Sequence, residues 1–189
     1  MVTPVIKAKL LGTESNSTTA RTGRGRFGFV HVDKPFAQNP NDEGKYSVCF
    51  MFSKDDKQAK KILDQAIENA EQRGIEKFGK GFKNVHNPIN DGDEKDDDIY
   101  ENMYYINAKN SRKVPCYDQD REEMEPEDVY SGCYGRCVIQ FYPYSRNGNN
   151  GVAASLQSVQ FLGDGESFAG RRASASDFDD DDDEGGMLD

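Results

Sequence analysis

The chain has 189 residues, of which 35% are hydrophobic and 31% charged, and its formal net charge at pH 7 is −10. This length suits one domain of ordinary size with a tail and excludes two comfortable domains. No apolar run approaches the roughly 20 residues of a membrane-spanning helix, and no signal-peptide stretch opens the chain, so we expect a soluble cytoplasmic protein without membrane contact.

The acidic residues are concentrated in two segments. Eight acids and no bases lie from Asp177 onward, so the net charge of −10 falls to −2 over residues 1–176. Seven acids and one base, Lys95, lie in residues 91–101, which leaves +4 for the remaining body. The acidic total therefore does not exclude an anionic partner such as a nucleic acid.

The four cysteines, Cys49, Cys116, Cys133 and Cys137, are too few for a secreted disulfide framework of this length. Cys133 and Cys137 share one strand parity, as two zinc ligands could, but no second ligand pair lies near them in the sequence. We therefore predict buried free thiols, with no metal and no other cofactor.

Residues 2–11 form the first predicted strand, with Lys7 on one side, and a polar loop follows in residues 12–25. The strand predicted in residues 24–33 directs Val30 and Val32 inward. The side chains left outside are Arg24, Arg26, Phe27, Phe29 and His31. Exposed rings beside arginines are typical of a base-stacking surface, although the same pattern also allows both phenylalanines in the core. The segment resembles the nucleic-acid-binding strand of cold-shock domains.

Lys45–Ser53 is apolar on both parities and predicts a central strand that is buried on both sides. Ser53, with Asp56 three residues later, is expected to open a helix that ends at Gly74. Its apolar positions recur with helical spacing and predict a core-facing stripe. They are Ala59, Ile62, Leu63, Ala66, Ile67 and Ala70.

The acidic residues 91–101 resemble a calcium-binding loop only superficially, because Lys95 and Asp96 occupy positions that such a loop does not allow. A solvated loop is the default interpretation. The alternative is a magnesium-dependent nuclease site at residues 91–98, beginning with Asp91. Met103–Asn110 predicts a further strand, which the basic residue Arg112 follows.

The most informative segment is residues 132–146. Read with the period of a strand, one parity carries Cys133, Cys137, Ile139 and Phe141 and predicts a buried face. The other parity alternates aromatic rings with arginines: Tyr134, Arg136, Tyr142, Tyr144 and Arg146. The run N-G-N-N-G at residues 147–151 predicts a hairpin turn, after which the chain returns antiparallel over residues 152–162.

Together these elements predict a mainly β domain at residues 1–170 with an OB-fold-like five-stranded antiparallel barrel and one inserted α-helix. An immunoglobulin-like sandwich is the alternative, but it accommodates the long helix poorly. The predicted face would bind single-stranded DNA by stacking and phosphate contacts. The predicted residues are Lys7, Arg24, Arg26, Phe27, Phe29, Lys45, Arg112, Tyr134, Arg136, Tyr142, Tyr144 and Arg146.

Residues 171–189 are predicted to be a disordered acidic tail, since they have no core-forming content. The tail would compete with DNA for the basic face and, once displaced, bind partner proteins. The residues predicted for this role are Asp177, Phe178, Asp179, Asp180, Asp181, Asp182, Asp183 and Glu184.

Four motifs indicate a family: S-G-C-Y-G-R-C-V-I-Q-F-Y-P-Y, G-N-N-G-V-A-A-S-L-Q-S-V-Q-F, D-G-E-S-F-A-G, and N-D-G-D at residues 90–93. Through them the chain resembles the single-stranded DNA-binding proteins of tailed bacteriophages, once catalogued as a phage domain of unknown function. The resemblance covers residues 2–170. It implies an OB-fold that coats single-stranded DNA in phage replication, recombination and repair, in an infected bacterial cell. It also implies an acidic C-terminus that recruits phage or host replication and recombination proteins.

Many tails of that family end in an aromatic residue, whereas this chain ends Gly186-Met187-Leu188-Asp189. No nucleotide-binding or catalytic motif occurs, so we predict that the chain is not an enzyme. Besides the nuclease, a DNA-mimicking inhibitor of a host protein is the other alternative. The sequence leaves open whether the chain forms a homo-oligomer.

Overall fold

The computed structural model describes residues 6–168, so the predicted tail at residues 171–189 lies outside the described residues. Within residues 6–168 the chain forms nine β-strands and one long α-helix. The strands are β1 (Lys9–Leu10), β2 (Thr19–Arg21), β3 (Gly25–Phe36), β4 (Lys45–Ser53), β5 (Asn90–Asp91), β6 (Met103–Asn110), β7 (Cys116–Tyr117), β8 (Tyr134–Arg146) and β9 (Asn149–Gly163). The helix α1 spans Lys57–Phe78. Short 3-10 helices lie at Gly79–Gly81, Gly92–Glu94, Asp98–Tyr100 and Pro126–Asp128.

Five strands close into a barrel in the order β3, β4, β6, β9 and β8, with β8 pairing back onto β3. Four of these pairings are antiparallel, and β6 pairs with β9 in parallel at Lys109 and Ser155. A closed ring with an odd number of strands cannot alternate in direction throughout, so one parallel pairing is required. The predicted OB-like barrel is therefore confirmed, with one parallel seam.

The barrel interior is filled by large apolar side chains from all five strands, including Phe27, Phe50, Ile106, Ile139 and Phe141. Helix α1 packs against this core through the predicted stripe, in which Ile62 is partly buried and the other five residues are buried. The Asp56 side chain accepts a hydrogen bond from the backbone N–H of Ala59 at 3.1 Å, so Asp56 caps the helix, three residues after the predicted start at Ser53.

The helix continues past Gly74 to Phe78, so the predicted end is wrong. Gly74 is buried inside the helix because the ring of Phe82 lies directly against it and leaves no room for a Cβ atom. The chain leaves the helix at Gly79, whose φ of 73° is a conformation that favours glycine. Of the predicted first strand, residues 2–5 lie outside the described residues, and within residues 6–11 the paired strand is Lys9–Leu10.

The cysteine prediction is confirmed, because Cys49, Cys116, Cys133 and Cys137 are all free and buried. Burial raises the pKa of the Cys137 thiol to about 12, so this side chain is an uncharged part of the core. Within residues 6–168, no three His, Cys, Asp or Glu side chains are grouped in a way that could hold a metal ion. The same residues contain no helix long and apolar enough to cross a membrane.

Candidate functional site

An irregularity in β3 decides which of its phenylalanines reaches the surface. The pairing of β3 with β4 shifts register between Gly28 and His31, and Phe29 adopts a φ of 44°. The shift reverses the inward and outward alternation within the strand. Phe27 therefore points inward and is 0% exposed, whereas Phe29 points outward and is 67% exposed. The predicted exposure of Phe27 is wrong: its ring packs near Phe50, at a centroid distance of 5.9 Å.

A groove runs over the outer surface of β3, β4 and β6 toward the hairpin formed by β8 and β9. It consists of two adjoining depressions of about 640 and 460 Å³ that share Lys45, Asn107 and Lys109. We call these two depressions together the groove. Phe29, His31 and Phe36 line one end, and Tyr142, Tyr144 and Arg146 line the other.

The groove collects most of the exposed apolar rings of the molecule. Four large hydrophobic side chains are exposed among residues 6–168, and three of them, Phe29, Phe36 and Tyr142, line the groove. The rings of His31 and Phe36 stack with a centroid distance of 4.5 Å and an interplanar angle of 12°. Burial lowers the pKa of His31, so the imidazole is a flat neutral ring at neutral pH. Grouped exposed rings of this kind indicate a binding surface.

The β8–β9 hairpin positions the aromatic residues at the other end. Asn147 and Gly148 form its turn with φ values of 50° and 81°, the geometry of a tight hairpin turn. Tyr144 lies opposite Gly151 in the strand register, and a Cβ atom at Gly151 would collide with the tyrosine ring. The glycine therefore allows Tyr144 to lie across the neighbouring strand, with Tyr142 47% exposed beside it.

The groove has a positive centre. Lys45, Lys109 and Arg146 are exposed, and none of the ion pairs within residues 6–168 includes them. Asp42 and Glu43 are also part of the lining, on the side of the β3–β4 hairpin. Uncompensated cations beside exposed rings are suited to bind phosphates and bases together.

Arg26, which the sequence predicts to contact phosphates, has hydrogen-bond donors engaged within the protein. Its Nε and Nη2 atoms donate to the carbonyl oxygen of Gly132 at 3.1 and 3.0 Å, and Nη2 also donates to the carbonyl oxygen of Glu166 at 2.9 Å. The guanidinium lies 4.6 Å from the ring centre of Phe168 and 5.1 Å from that of Tyr134. Because these donors are engaged by backbone carbonyls, Arg26 holds residues 164–168, which we call the strap, against the barrel.

The predicted binding residues do not form one surface. Lys45, Tyr142, Tyr144, Arg146 and Phe29 meet in the groove, but Arg24, Tyr134 and Arg136 lie at the opposite end of β8. Residues 136 and 142 are separated by about 20 Å along an extended strand, and sequence parity carries no information about that distance. Lys7 and Arg112 are exposed and line neither depression of the groove.

Several residues that line the groove were not assigned to the site from the sequence, among them Phe36, Asn107, Lys109 and His31, the last of which was predicted to point outward. Two of them could have been found from β6, where Ile106 and Ala108 are buried and Asn107 and Lys109 alternate with them outward. Phe36 carried no such signal, because its position depends on the bend of the long strand β3.

Two of the seven acids in residues 91–101 are engaged by one lysine, Lys54. The Nζ atom of Lys54 lies 2.5 Å from Asp91 Oδ1 and 2.6 Å from Asp93 Oδ2, and Asp93 Oδ1 accepts from the backbone N–H of Asn102 at 2.8 Å. The hydrogen bonds from Lys54 lower the pKa of both carboxyl groups. Asp91 and Asp93, which belong to the alternative nuclease site, are therefore both paired with Lys54.

Comparisons with known proteins agree with this architecture. The family model described as the Enterobacter phage Enc34 single-stranded DNA-binding protein matches residues 18–188. Protein p50 of Acyrthosiphon pisum secondary endosymbiont phage 1 is 31% identical over 165 residues, which cover 82% of this chain and 89% of p50. The Enc34 protein in complex with single-stranded DNA has a TM-score of 0.70 and 26% identity, covering 87% and 98% of the two chains. The bacteriophage T7 single-stranded DNA-binding protein gp2.5 shares the fold, with a TM-score of 0.60 and 16% identity. The match covers 80% of this chain and 94% of gp2.5.

Proposed function

The chain belongs to the family of the Enterobacter phage Enc34 single-stranded DNA-binding protein, and on that premise we propose that its groove binds single-stranded DNA without regard to sequence. The observation that carries this proposal is the coincidence of exposed rings and unpaired cations in one groove of an OB-like barrel. The family description names a binding function, and we propose that the chain acts by binding and not as an enzyme.

Bases stack on the rings at both ends of the groove, each contributing about 1 to 3 kcal/mol. Phe29 receives a base at one end, and Tyr142 and Tyr144 receive bases at the other. Lys45 and Lys109 lie between these ends, where the strand presents its phosphates. Since every base has a flat face and every nucleotide a phosphate, this arrangement does not select a sequence.

The acidic tail competes with DNA for the groove in this proposal. The last described residue is Phe168, which packs beside Met51 and Gly28. Gly28 directly precedes Phe29, which lines the end of the groove. Residues 169–189 are covalently joined to Phe168, so the acids of the tail can reach a millimolar effective concentration at the groove. Seven acids fall within residues 177–184 and resemble a chain of phosphates in charge.

A strand that displaces the tail makes it available to basic surfaces on phage or host replication and recombination proteins. We infer that the protein coats and protects single-stranded DNA in phage replication, recombination and repair, in the cytoplasm of an infected bacterial cell. The rings and cations of the groove support the binding step, and the negative charge of residues 177–184 supports recruitment.

The test is fluorescence anisotropy of a labelled oligothymidylate without magnesium, at low and moderate salt. It compares the full chain with a full-length variant whose acids in residues 177–184 are changed to Asn or Gln. We expect both to bind, with tighter binding by the neutralised variant and a larger difference at low salt. Absence of binding by both forms contradicts DNA binding, while equal affinities contradict tail competition alone.

A further inference from the structure

Three arginines form a second basic surface outside the groove. Arg21 lies at the end of β2, Arg136 near the start of β8, and Arg121 in the turn that follows β7. Arg21 pairs with Val138 in the strand register, so β2 brings it beside Arg136. We call Arg21, Arg121 and Arg136 the arginine patch.

The arginine patch brings three positive charges together. Among residues 6–168, none of the ion pairs includes any of its three members. Burial and the neighbouring charges of Arg21 and Arg121 lower the pKa of Arg136. Like charges held this close repel one another, and the repulsion is relieved when an anion lies between them.

The patch is also held in place by neutral hydrogen bonds. Arg136 Nε donates to Gln160 Oε1 at 2.6 Å, and Gln160 Nε2 donates to the carbonyl oxygen of Asp118 at 3.0 Å. Arg21 Nε is buried and has no hydrogen-bond partner in the described part of the chain. A buried N–H donor without a partner is costly, so the position of the Arg21 side chain is set by its packing and not by a hydrogen bond from Nε within the described residues.

The patch and the groove are linked by one further pair of residues. The guanidinium of Arg24 lies 4.6 Å from the ring centre of Tyr134, two positions before Arg136 on the same side of β8. Tyr134 pairs with Arg26 of β3, and Phe29 follows three positions later at the end of the groove. In this register Arg136 lies level with Arg24, and Phe29 lies five positions beyond Arg24, or about 17 Å of extended strand, so a DNA strand that passes Phe29 crosses this distance before it reaches the patch.

We propose that the arginine patch binds the phosphates of single-stranded DNA as the strand leaves the groove past Phe29. The ligand is the phosphodiester backbone of the same strand that occupies the groove, so this inference rests on the proposed function. The bound strand would be longer than the groove alone accommodates, and the added contacts would not depend on base identity.

The test compares two oligothymidylates, one of about 5 and one of about 16 nucleotides, near the two limits for a single OB barrel. The variant is the full chain with Arg21→Gln, Arg121→Gln and Arg136→Gln. Each lost phosphate contact lowers the slope of log affinity against log salt by about 0.7 for a single strand. We expect a decrease of about 2 for the long oligonucleotide and none for the short one, whose unchanged affinity also shows that the variant is folded.

The matched control removes the same charge elsewhere, with Lys57→Gln, Lys61→Gln and Lys80→Gln on and after α1, where all three lysines are exposed. It should leave both slopes unchanged. Lysine at the three patch positions keeps the charge and should restore most of the slope for the long oligonucleotide.

Three results separate the failures. If the unaltered chain binds neither oligonucleotide, the proposed function itself is wrong. If it binds both and the glutamine variant has the unaltered slope on the long one, the arginine patch does not bind DNA. If the effect disappears when the acids of residues 177–184 are neutralised, the ligand of the patch is the tail, which overturns the inference as well.

Discussion

Strand β8 presents tyrosines and arginines at both of its ends, Tyr134 with Arg136 and Tyr142 with Arg146. At the first end, Arg24 and Arg26 lie within 4.6 and 5.1 Å of the Tyr134 ring centre, and Arg136 is bonded to Gln160. At the second end, Tyr142 is 47% exposed and Arg146 is exposed in the groove lining. Tyr134 and Arg26 at the first end are therefore engaged within the protein, whereas Tyr142 and Arg146 at the second end are exposed in the groove.

The difference arises from the neighbouring chain and not from β8 itself. At the first end, the strap and the loop before β8 supply the carbonyl oxygens of Glu166 and Gly132, which Arg26 requires as acceptors. At the second end, the hairpin continues beyond these segments, and its side chains face the groove. An arginine among carbonyls stabilises a fold, whereas a free cation beside a free ring can bind a nucleotide.

Phe27→Ala is the strongest test of the packed end, because the Phe27 ring lies beneath Gly135 at the start of β8. Removing a buried phenylalanine ring costs about 3 to 5 kcal/mol of unfolding free energy. We expect this loss in urea unfolding, and a loss below 1 kcal/mol for the matched change Phe29→Ala. Equal losses for the two variants would contradict the assignment of one ring to the core and the other to the groove.

Arg26→Gln tests whether this arginine holds the strap. It removes charge-assisted hydrogen bonds to backbone carbonyls, each worth about 1.5 to 3 kcal/mol, and we expect a loss of unfolding free energy in that range. Arg26→Lys should not restore it, because lysine lacks the planar fork. Affinity for the short oligonucleotide should change less than about threefold, because an arginine that holds the strap makes no contact with a phosphate. A large loss of affinity with unchanged stability would reverse the assignment.

Tyr142→Ala tests the open end in the complementary way. The loss of one stacked base reduces affinity by about 1 to 3 kcal/mol, or about 5- to 150-fold, with little change in unfolding free energy. The matched control is Ile75→Ala, which removes an exposed apolar side chain of similar exposure, 48%, from α1. Anisotropy with oligothymidylate measures both variants. If Tyr142→Ala and Ile75→Ala bind equally well, the exposed rings of the groove do not stack on bases.

Much of the fold could be predicted because its signals are local. Strands β4 and β6 begin and end at the predicted residues, since a change of apolar periodicity marks their ends. The hairpin after Arg146 follows from Asn147 and Gly148, whose conformational preferences select a tight turn. These features require no knowledge of the rest of the chain.

The site was only partly predictable because its geometry is not local. The shift at Gly28 separates Phe27 from Phe29, and a bulge leaves no mark in the alternation of side-chain types. The role of Arg26 depends on backbone carbonyls of distant segments, which every residue carries and which therefore give no sequence signal. The exposure of Phe27 was predicted wrongly because Arg24 to Phe29 was treated as one regular strand.

Substitution of the groove lysines should have the smallest effect on DNA affinity, and it tests which end of β8 the DNA strand contacts first. Lys45 and Lys109 are exposed and shared by both depressions, so each should contribute one phosphate contact. Lys45→Gln and Lys109→Gln should each lower the salt slope by about 0.7 on the short and the long oligonucleotide alike. The arginine patch should affect the long one only, because the short strand never leaves the groove.

Lys61→Gln on α1 is the control for these lysine variants and should lower the salt slope on neither oligonucleotide. If the groove lysines influence only the long oligonucleotide, the strand enters the molecule at the packed end of β8, and the order of the two surfaces is reversed.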